Sequence, residues 1–340
     1  MKAFWDPVQL RHAPRFFLQR GQLRANFEVP GRAEALLGGL ATLGIAPTAP
    51  GQADLAAVRT VHDAAYLDFL RDAPAAWAAL PDAGPEIVPN MHPTPEMLAQ
   101  GARPSAVVIG QAGWFVPDNS TPVTADTWAS AIAAAACALA AADEASAGRH
   151  AYALCRPPGH HAYGARAGGH CFLNNAAIAA ERLRARGAAR VGVLDVDSHH
   201  GNGTQGIFWE RGDVAFASVH GDPNGYYPWY VGHADEHGGG AGAGATHNMP
   251  LPRGSGDAAW LEAVDAGLAA MSGVDALVLS LGFDASVDEP LNYLSVSDDG
   301  FARMAERVAG FGVPVAIVQE GGYNLDRLGP LLARTLPAFG

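Results

Sequence analysis

The sequence predicts an open α/β fold, a parallel β-sheet sandwiched by helices, and two features of the chain beyond residue 124 predict it. Short apolar runs alternate with amphipathic stretches of helical length. Runs such as VGVLDV and ALVLSLG are also apolar at consecutive positions, which marks strands covered on both faces and therefore paired in parallel.

In chain order, an Ala-rich segment over 125–146 reads as a buried helix, with Thr124 as its candidate N-cap and Gly148 beyond its end. Strands are expected at 151–155, 191–196, 214–219, 276–281 and 313–319. Helices are expected near 175–186, 257–271, 298–310 and 325–336. Residues 74–122 carry nine of the 24 prolines and little periodicity, which predicts a long irregular loop. A loop of that length covers a site or meets another subunit. The glycine run at 238–244 does not open a helix after a strand and is not read as a nucleotide-binding loop.

Composition narrows the function. A chain of 340 residues with 49% hydrophobic and 16% charged side chains folds around a large core, here expected to be a single domain over 1–340. A net charge of -12 argues against a nucleic-acid partner. Three cysteines without C-x-x-C spacing exclude a disulfide framework and a cysteine-built zinc finger. Asp6, Pro7 and Arg11 interrupt the place where a secretory signal needs an apolar core, and the apolar run 128–142 is shorter than the roughly 20 residues of a membrane span. The expected compartment is the cytoplasm, with no membrane partner.

Ligands of open parallel sheets bind beyond the carboxyl ends of the strands, so the residues after each apolar run are the first place to look. RPPGHHA follows 151–155 and brings His160 and His161; DSHHGNG follows 191–196 and brings Asp197, His199 and His200. GFD with Asp284 follows 276–281, and EGGY with Glu320 and Tyr323 follows 313–319. Asp197, His199 and Asp284 make a metal site of two carboxylates and one imidazole, three ligands that leave a position open for water and substrate. Zinc suits them, and Fe(II) or Co(II) would accept the same set. A tight turn after Pro157, Pro158 and Gly159 is needed to bring His160 and His161 into one pocket, where they suit general base and acid roles. Gly321 and Gly322 let the chain approach closely enough for the Tyr323 phenol to donate to a developing oxyanion.

Taken together, RPPGHHA, DVDSHHGNGTQ, LGFD and QEGGY closely resemble the zinc-dependent histone deacetylase family, most of all its acetylpolyamine amidohydrolase branch. The resemblance runs from MKAFWDP to the C-terminus and implies an arginase-deacetylase fold with a central parallel sheet of about eight strands. It implies zinc on Asp197, His199 and Asp284, with His160 and His161 flanking the attacking water. Asp195 would orient His160 and Asn202 would back His161, so the two imidazoles should differ in basicity. One potassium ion is implied at Asp195 and Ser218 with the carbonyls of Asp197, His199 and Val219, and a second near Phe208, Arg211 and Val214. A substrate tunnel is implied, bounded by Gly169, His170, Tyr227, Gly321 and Gly322. His170 stands where the family usually has an aromatic residue. The long loop resembles a dimer-forming insertion from which Trp114, Phe115 and Asp118 would reach a partner subunit's tunnel. Positions around Phe16, Phe17 and Ile109, acidic in polyamine deacetylases, are apolar here, which leaves Asp118 as the one acid between Met97 and Ala125.

The activity implied is deacetylation of a small N-acetylated amine, acetylpolyamine-like, by a metal-activated water, with release of acetate. Acetyl-lysine peptide or protein deacetylation is the alternative, with hydrolysis of another small amide beside it, and a non-catalytic acyl-ligand sensor comes last. A binuclear arginase-type centre fits less well, because Asp284-Ala285-Ser286 lacks the second carboxylate such centres use.

Overall fold

The computed structural model describes residues 1–291 and 293–340. The chain opens with strand β1 (Lys2–Phe4) and an antiparallel hairpin, β2 (Phe16–Gln19) and β3 (Gln22–Ala25). Helices α1 (Gly31–Thr42), α2 (Leu55–Arg59), α3 (Ala64–Ala78), α4 (Pro95–Ala99), α5 (Val108–Phe115) and α6 (Thr127–Ser146) follow. The α/β half comprises β4 (Ala151–Ala153), α7 (Asn175–Ala185), β5 (Val191–Asp195), α8 (Asn202–Phe208), β6 (Val214–Gly221) and β7 (Thr246–Leu251). It is completed by α9 (Asp257–Ala270), β8 (Ala276–Leu281), α10 (Asp298–Ala309), β9 (Val315–Gln319) and α11 (Leu325–Thr335).

Seven strands form one wholly parallel sheet in the order β1-β4-β9-β8-β5-β6-β7. Alternate residues of each central strand enter opposite cores. Val191, Val193, Val278 and Val318 pack with α6 and α7, whereas Leu194, Leu277, Leu279 and Ile317 pack with α1, α9, α10 and α11. Two apolar faces explain the consecutive apolar runs of the sequence.

The sheet has seven strands where about eight were expected. The eighth position, outside β1, is reduced to a bridge: Trp5 N–H donates to Thr48 O (3.0 Å) and Thr48 N–H to Ala3 O (2.8 Å). Pro47 and Pro50 flank Thr48 and supply no ladder donors, so the pairing stops there. Strands β1 and β7 were not foreseen; one is only three residues long and the other, THNMPL, is half polar and contains a proline.

The Ala-rich helix α6 starts at Thr127, and Thr124 is not its cap; instead Thr124 N–H donates to Thr127 Oγ1 (2.8 Å). Its 20 residues are long and apolar enough to cross a membrane by length and composition, yet 67% of its most apolar window is buried inside the protein. Segment 74–122 is less irregular than its prolines suggest. It begins inside α3, which contains Pro74, and carries α4, with Pro95 in its first turn, and α5. Both of its ends are pinned, by Ile87 bridging Val123 and by Leu18 N–H donating to Asn119 O (3.1 Å).

Candidate active site

The four strand ends that carry the chemistry belong to β4, β9, β8 and β5, which are consecutive neighbours in the sheet. Residues as far apart in the chain as His160 and Tyr323 therefore meet without any long-range coincidence beyond strand order. That order is why Asp197, His199 and Asp284 converge, all buried, with their ligating atoms within 4.8 Å of one another. His199 Nδ1 lies 2.9 Å from Asp284 Oδ2 and 3.2 Å from Asp197 Oδ1. Donor atoms on one tetrahedral zinc are about 3.3 Å apart, so these spacings fit a single divalent ion.

Charge points the same way. Two carboxylates with no exposure need a buried cation. Burial opposes a charge on His199, but Asp284 and Asp197 outweigh it and hold the imidazole up to about 9. Burial likewise opposes charge on Asp197, yet His160 and His199 keep its carboxyl below the usual range. A divalent ion would replace the proton shared by this cluster. The carboxylates are also fixed by backbone donors: Ser198 N–H to Asp284 Oδ1 (2.7 Å), His199 N–H to Asp197 Oδ1 (2.9 Å) and Gly321 N–H to Asp197 Oδ2 (2.8 Å). A Cβ on Gly321 would lie 2.5 Å from both Asp197 Oδ2 and Asp284 Oδ2, so no larger residue fits that approach.

His160 and His161 occupy the centre of the expected turn, closed by Ala162 N–H donating to Gly159 O (2.9 Å), and their rings lie 4.0 Å apart. Their partners differ as expected. His160 Nδ1 donates to Asp195 Oδ2 (2.9 Å), and His161 Nδ1 donates to Asn202 Oδ1 (2.6 Å). Burial disfavours charge on both, but Asp195 and Asp197 outweigh it at His160 and raise it to about 10. At His161 burial is reinforced by His160 and His199, so its pKa falls well below the ordinary value. Neutral His161, with Nδ1–H given to Asn202, keeps a free lone pair on Nε2.

Glu320 holds the turn from beneath, with Oε2 accepting from Gly159 N–H (2.6 Å) and His160 N–H (3.1 Å) and Oε1 from Ser280 Oγ (3.0 Å). Tyr323 is buried, and burial raises its phenol well above the usual value, so it remains an O–H donor. The Arg32 guanidinium sits 4.8 Å from the Tyr323 ring centroid and donates to Gly322 O and Glu320 O, both at 2.5 Å.

Two aromatic walls lead outward. Tyr323, His170, Phe17 and Phe27 follow one another at 5.7–6.3 Å between rings on one side. On the other, Tyr227 lies edge-on to His161 (4.9 Å) and to Trp229 (5.1 Å). Gly169 passes so close to the His161 ring that a Cβ would lie 2.2 Å from Cδ2. Asp118 does not present a free carboxylate, because Oδ2 accepts from Gly169 N–H and Tyr227 O–H, both at 2.8 Å, and Oδ1 accepts from Ser120 N–H and Thr121 Oγ1. It ties the long loop to both walls. Phe115 is 4% exposed and packs on Tyr66 and Phe69, so its side chain belongs to the core of this chain. Trp114 is partly buried beside Arg166.

Of the groups implied for potassium, Asp195 and Ser218 face each other in the β5–β6 register, and Val219 follows on β6. Asp195 Oδ1 also accepts from Asp197 N–H (3.1 Å). Phe208, Arg211 and Val214 form the α8–β6 connection, where Arg211 N–H donates to Phe208 O (2.9 Å). Arg32, Glu28 and Glu289 were not singled out from the sequence. The i,i+4 pair Glu28–Arg32 is buried, with Arg156 beside it at 2.7 Å from Glu28 Oε1. That spacing was the one available signal.

Residues 26–338 match the family model of the histone deacetylase domain. Acetylpolyamine amidohydrolase 1 of Pseudomonas aeruginosa is 44% identical over 313 residues, covering 91% of this chain and 90% of that protein. The acetylpolyamine amidohydrolase of Mycoplana ramosa is 40% identical over 337 residues, covering 98% and 97%. Among solved structures, the crystal structure of acetylpolyamine aminohydrolase from Burkholderia pseudomallei superposes with a TM-score of 0.95 at 43% identity, covering 100% of this chain and 98% of that one. With these matches spanning nearly its whole length, the chain belongs to the histone deacetylase family.

Proposed function

We propose that this chain is an amidohydrolase that removes the acetyl group from small N-acetylated amines of the acetylpolyamine class. The observation that carries the reading is the convergence of the Asp197–His199–Asp284 cluster, the His160–His161 turn and Tyr323 at the end of an aromatic-walled approach. The relatives that share 40–44% of its residues are acetylpolyamine amidohydrolases.

Asp197, His199 and Asp284 would hold one zinc ion, which when bound supplies Lewis acidity toward water and the amide carbonyl. His161 Nε2 takes the proton of the attacking water, because its Nδ1 proton is committed to Asn202. His160, kept cationic by Asp195, stabilises the negative charge that develops, and a protonated imidazole of the pair returns a proton to the departing amine. Tyr323 donates its O–H to the oxyanion. The products are acetate and the free amine. The aromatic walls take the aliphatic chain, and the faces of Tyr227 and Trp229 can meet a distal ammonium. Structural potassium at Asp195 and Ser218 and near Phe208, Arg211 and Val214, and a homodimer formed through segment 74–122, complete the reading.

Steady-state assays of the zinc-loaded protein on acetylated diamines and polyamines, acetyl-lysine peptides and neutral alkyl acetamides test it. The acetylpolyamines are expected to give the highest kcat/KM. Faster turnover of acetyl-lysine peptides would reassign the substrate, and no turnover of any amide with metal verified would remove the activity.

A further inference from the structure

Glu289 lies in the segment after β8 and is 5% exposed, and among the described residues no Lys, Arg or His pairs with it. Both of its carboxylate oxygens accept from Tyr323 N–H (3.1 and 3.0 Å), and Oε2 also accepts from Asn324 N–H (3.3 Å). A buried carboxylate with no cation in contact is costly: burial and Asp284 push the Glu289 carboxyl up to about 7, with the backbone N–H groups and the Arg32 charge acting the other way, and an amide or apolar side chain of similar volume would be cheaper for folding alone. Its distinctive contribution is acceptance from two successive backbone N–H donors, charge-assisted in the ionised form.

Those donors belong to the residue that needs fixing most. Tyr323 follows two glycines, and Gly322 has φ +119°, a conformation that glycine takes readily and other residues rarely do, so the backbone leading to Tyr323 is intrinsically less restricted than one bearing side chains and relies on its ties. On the upstream side, Gly321 N–H is tied to Asp197 Oδ2 and the carbonyls of Glu320 and Gly322 to Arg32. On the downstream side, Asn324 Nδ2 donates to Asp288 O (2.7 Å), and its Oδ1 caps α11. Glu289 closes the gap between these anchors at Tyr323 itself.

We infer that Glu289 is a positioning residue for the reaction, holding the backbone of Tyr323 and Asn324 so that the Tyr323 phenol is aimed at the developing oxyanion. The inference rests on the role given to Tyr323 above. It acts through geometry, and small misplacements of an oxyanion donor cost rate more than affinity.

The test uses the zinc-loaded enzyme with Glu289→Gln and Glu289→Leu, each alone and combined with Tyr323→Phe. For the single variants kcat should fall about 10- to 100-fold with KM within about 3-fold. Zinc content should be retained, and amide hydrogen exchange at Tyr323 and Asn324 should accelerate in zinc-loaded and zinc-free protein alike. In the Tyr323→Phe background the same substitutions should cost less than about 2-fold further, because the group they position is gone. Where Glu289→Leu does not fold, Glu289→Gln decides. Losses that multiply in the double variant, or unchanged kcat and exchange in Glu289→Gln, overturn the inference while leaving Tyr323 its role. A Tyr323→Phe enzyme with wild-type kcat defeats that role, and this inference falls with it.

Discussion

At the floor of the site, each carboxylate oxygen of Asp197, Asp284 and Glu320 has a donor, and the donors are mostly backbone N–H groups of the strand ends themselves. At its mouth the walls are rings: Phe17 and Phe27 come from the hairpin region, His170 and Tyr227 from turns, and Trp229 is 53% exposed. The floor is built from one contiguous set of four strands; the mouth is assembled from separate segments held by a few hydrogen bonds to the long loop, among them Gly169 N–H and Tyr227 O–H to Asp118, His170 N–H to Thr121 Oγ1 and Leu18 N–H to Asn119 O. Under the proposed function, charge placement at the floor would set the reaction and ring placement at the mouth would set which amine is accepted. Substitutions should divide accordingly, with floor changes acting on metal content, kcat and pH dependence and mouth changes acting on KM.

The largest effect is expected at Asp284. Asp284→Asn keeps the volume and the acceptor for Ser198 N–H but removes one of the two charges that make the cluster cationophilic. Zinc content should fall well below one per chain, and kcat/KM by at least about 1,000-fold, on the order of 4 kcal/mol. Elemental analysis of the purified variant beside its kinetics checks both. Full zinc occupancy with wild-type activity would remove Asp284 from the ligand set and dissolve the contrast between floor and mouth.

A second expectation separates the two histidines. Asn202→Asp would place a carboxylate 2.6 Å from His161 Nδ1, the situation His160 already has with Asp195. An opposite charge favours the protonated imidazole, so the pKa of His161 rises. A base with a raised pKa becomes available only at higher pH. The acid limb of kcat/KM should therefore move upward by about one unit or more, leaving activity at high pH largely preserved. An unmoved acid limb would assign the base to another group.

The same division governs what the sequence reveals. The strand 276–281 coincides with β8, and the other central strands agree to within a few residues, because a strand apolar on both faces leaves a local signal. The triad, the His pair and Tyr323 were legible because they follow those strands directly. Arg32 and Glu289 were not. Arg32 acts on carbonyls 288 and 290 positions away, and Glu289 acts on an N–H 34 positions away, so neither role has a local pattern to read. The contacts of Asp118 and the burial of Phe115 were illegible for a similar reason. An acid in a proline-rich loop looks available until Gly169 and Tyr227 are brought against it, and an aromatic there looks exposed until α3 covers it.

The smallest expected effect tests the mouth. Asp118→Asn retains one acceptor oxygen but offers an amide N–H₂ group where the carboxylate had its second, so it cannot serve Gly169 N–H, Tyr227 O–H, Ser120 N–H and Thr121 O–H together. The walls carrying Gly169 and Tyr227 loosen relative to each other, while the metal cluster and Tyr323 keep their own anchors. Losing one charge-assisted bond costs about 1.5 kcal/mol or more, and if most of it is felt in substrate binding KM rises about 5- to 10-fold. Zinc content should stay at one per chain and kcat within about 2-fold of wild type, because no group that touches the reacting atoms has moved. Steady-state kinetics on one acetylpolyamine, with zinc measured in the same preparation, decides it. A fall in kcat with KM unchanged would mean that the mouth and the floor are mechanically continuous through His161, whose ring Gly169 contacts. In that case His161 depends for its placement on Asp118 as well as on Asn202.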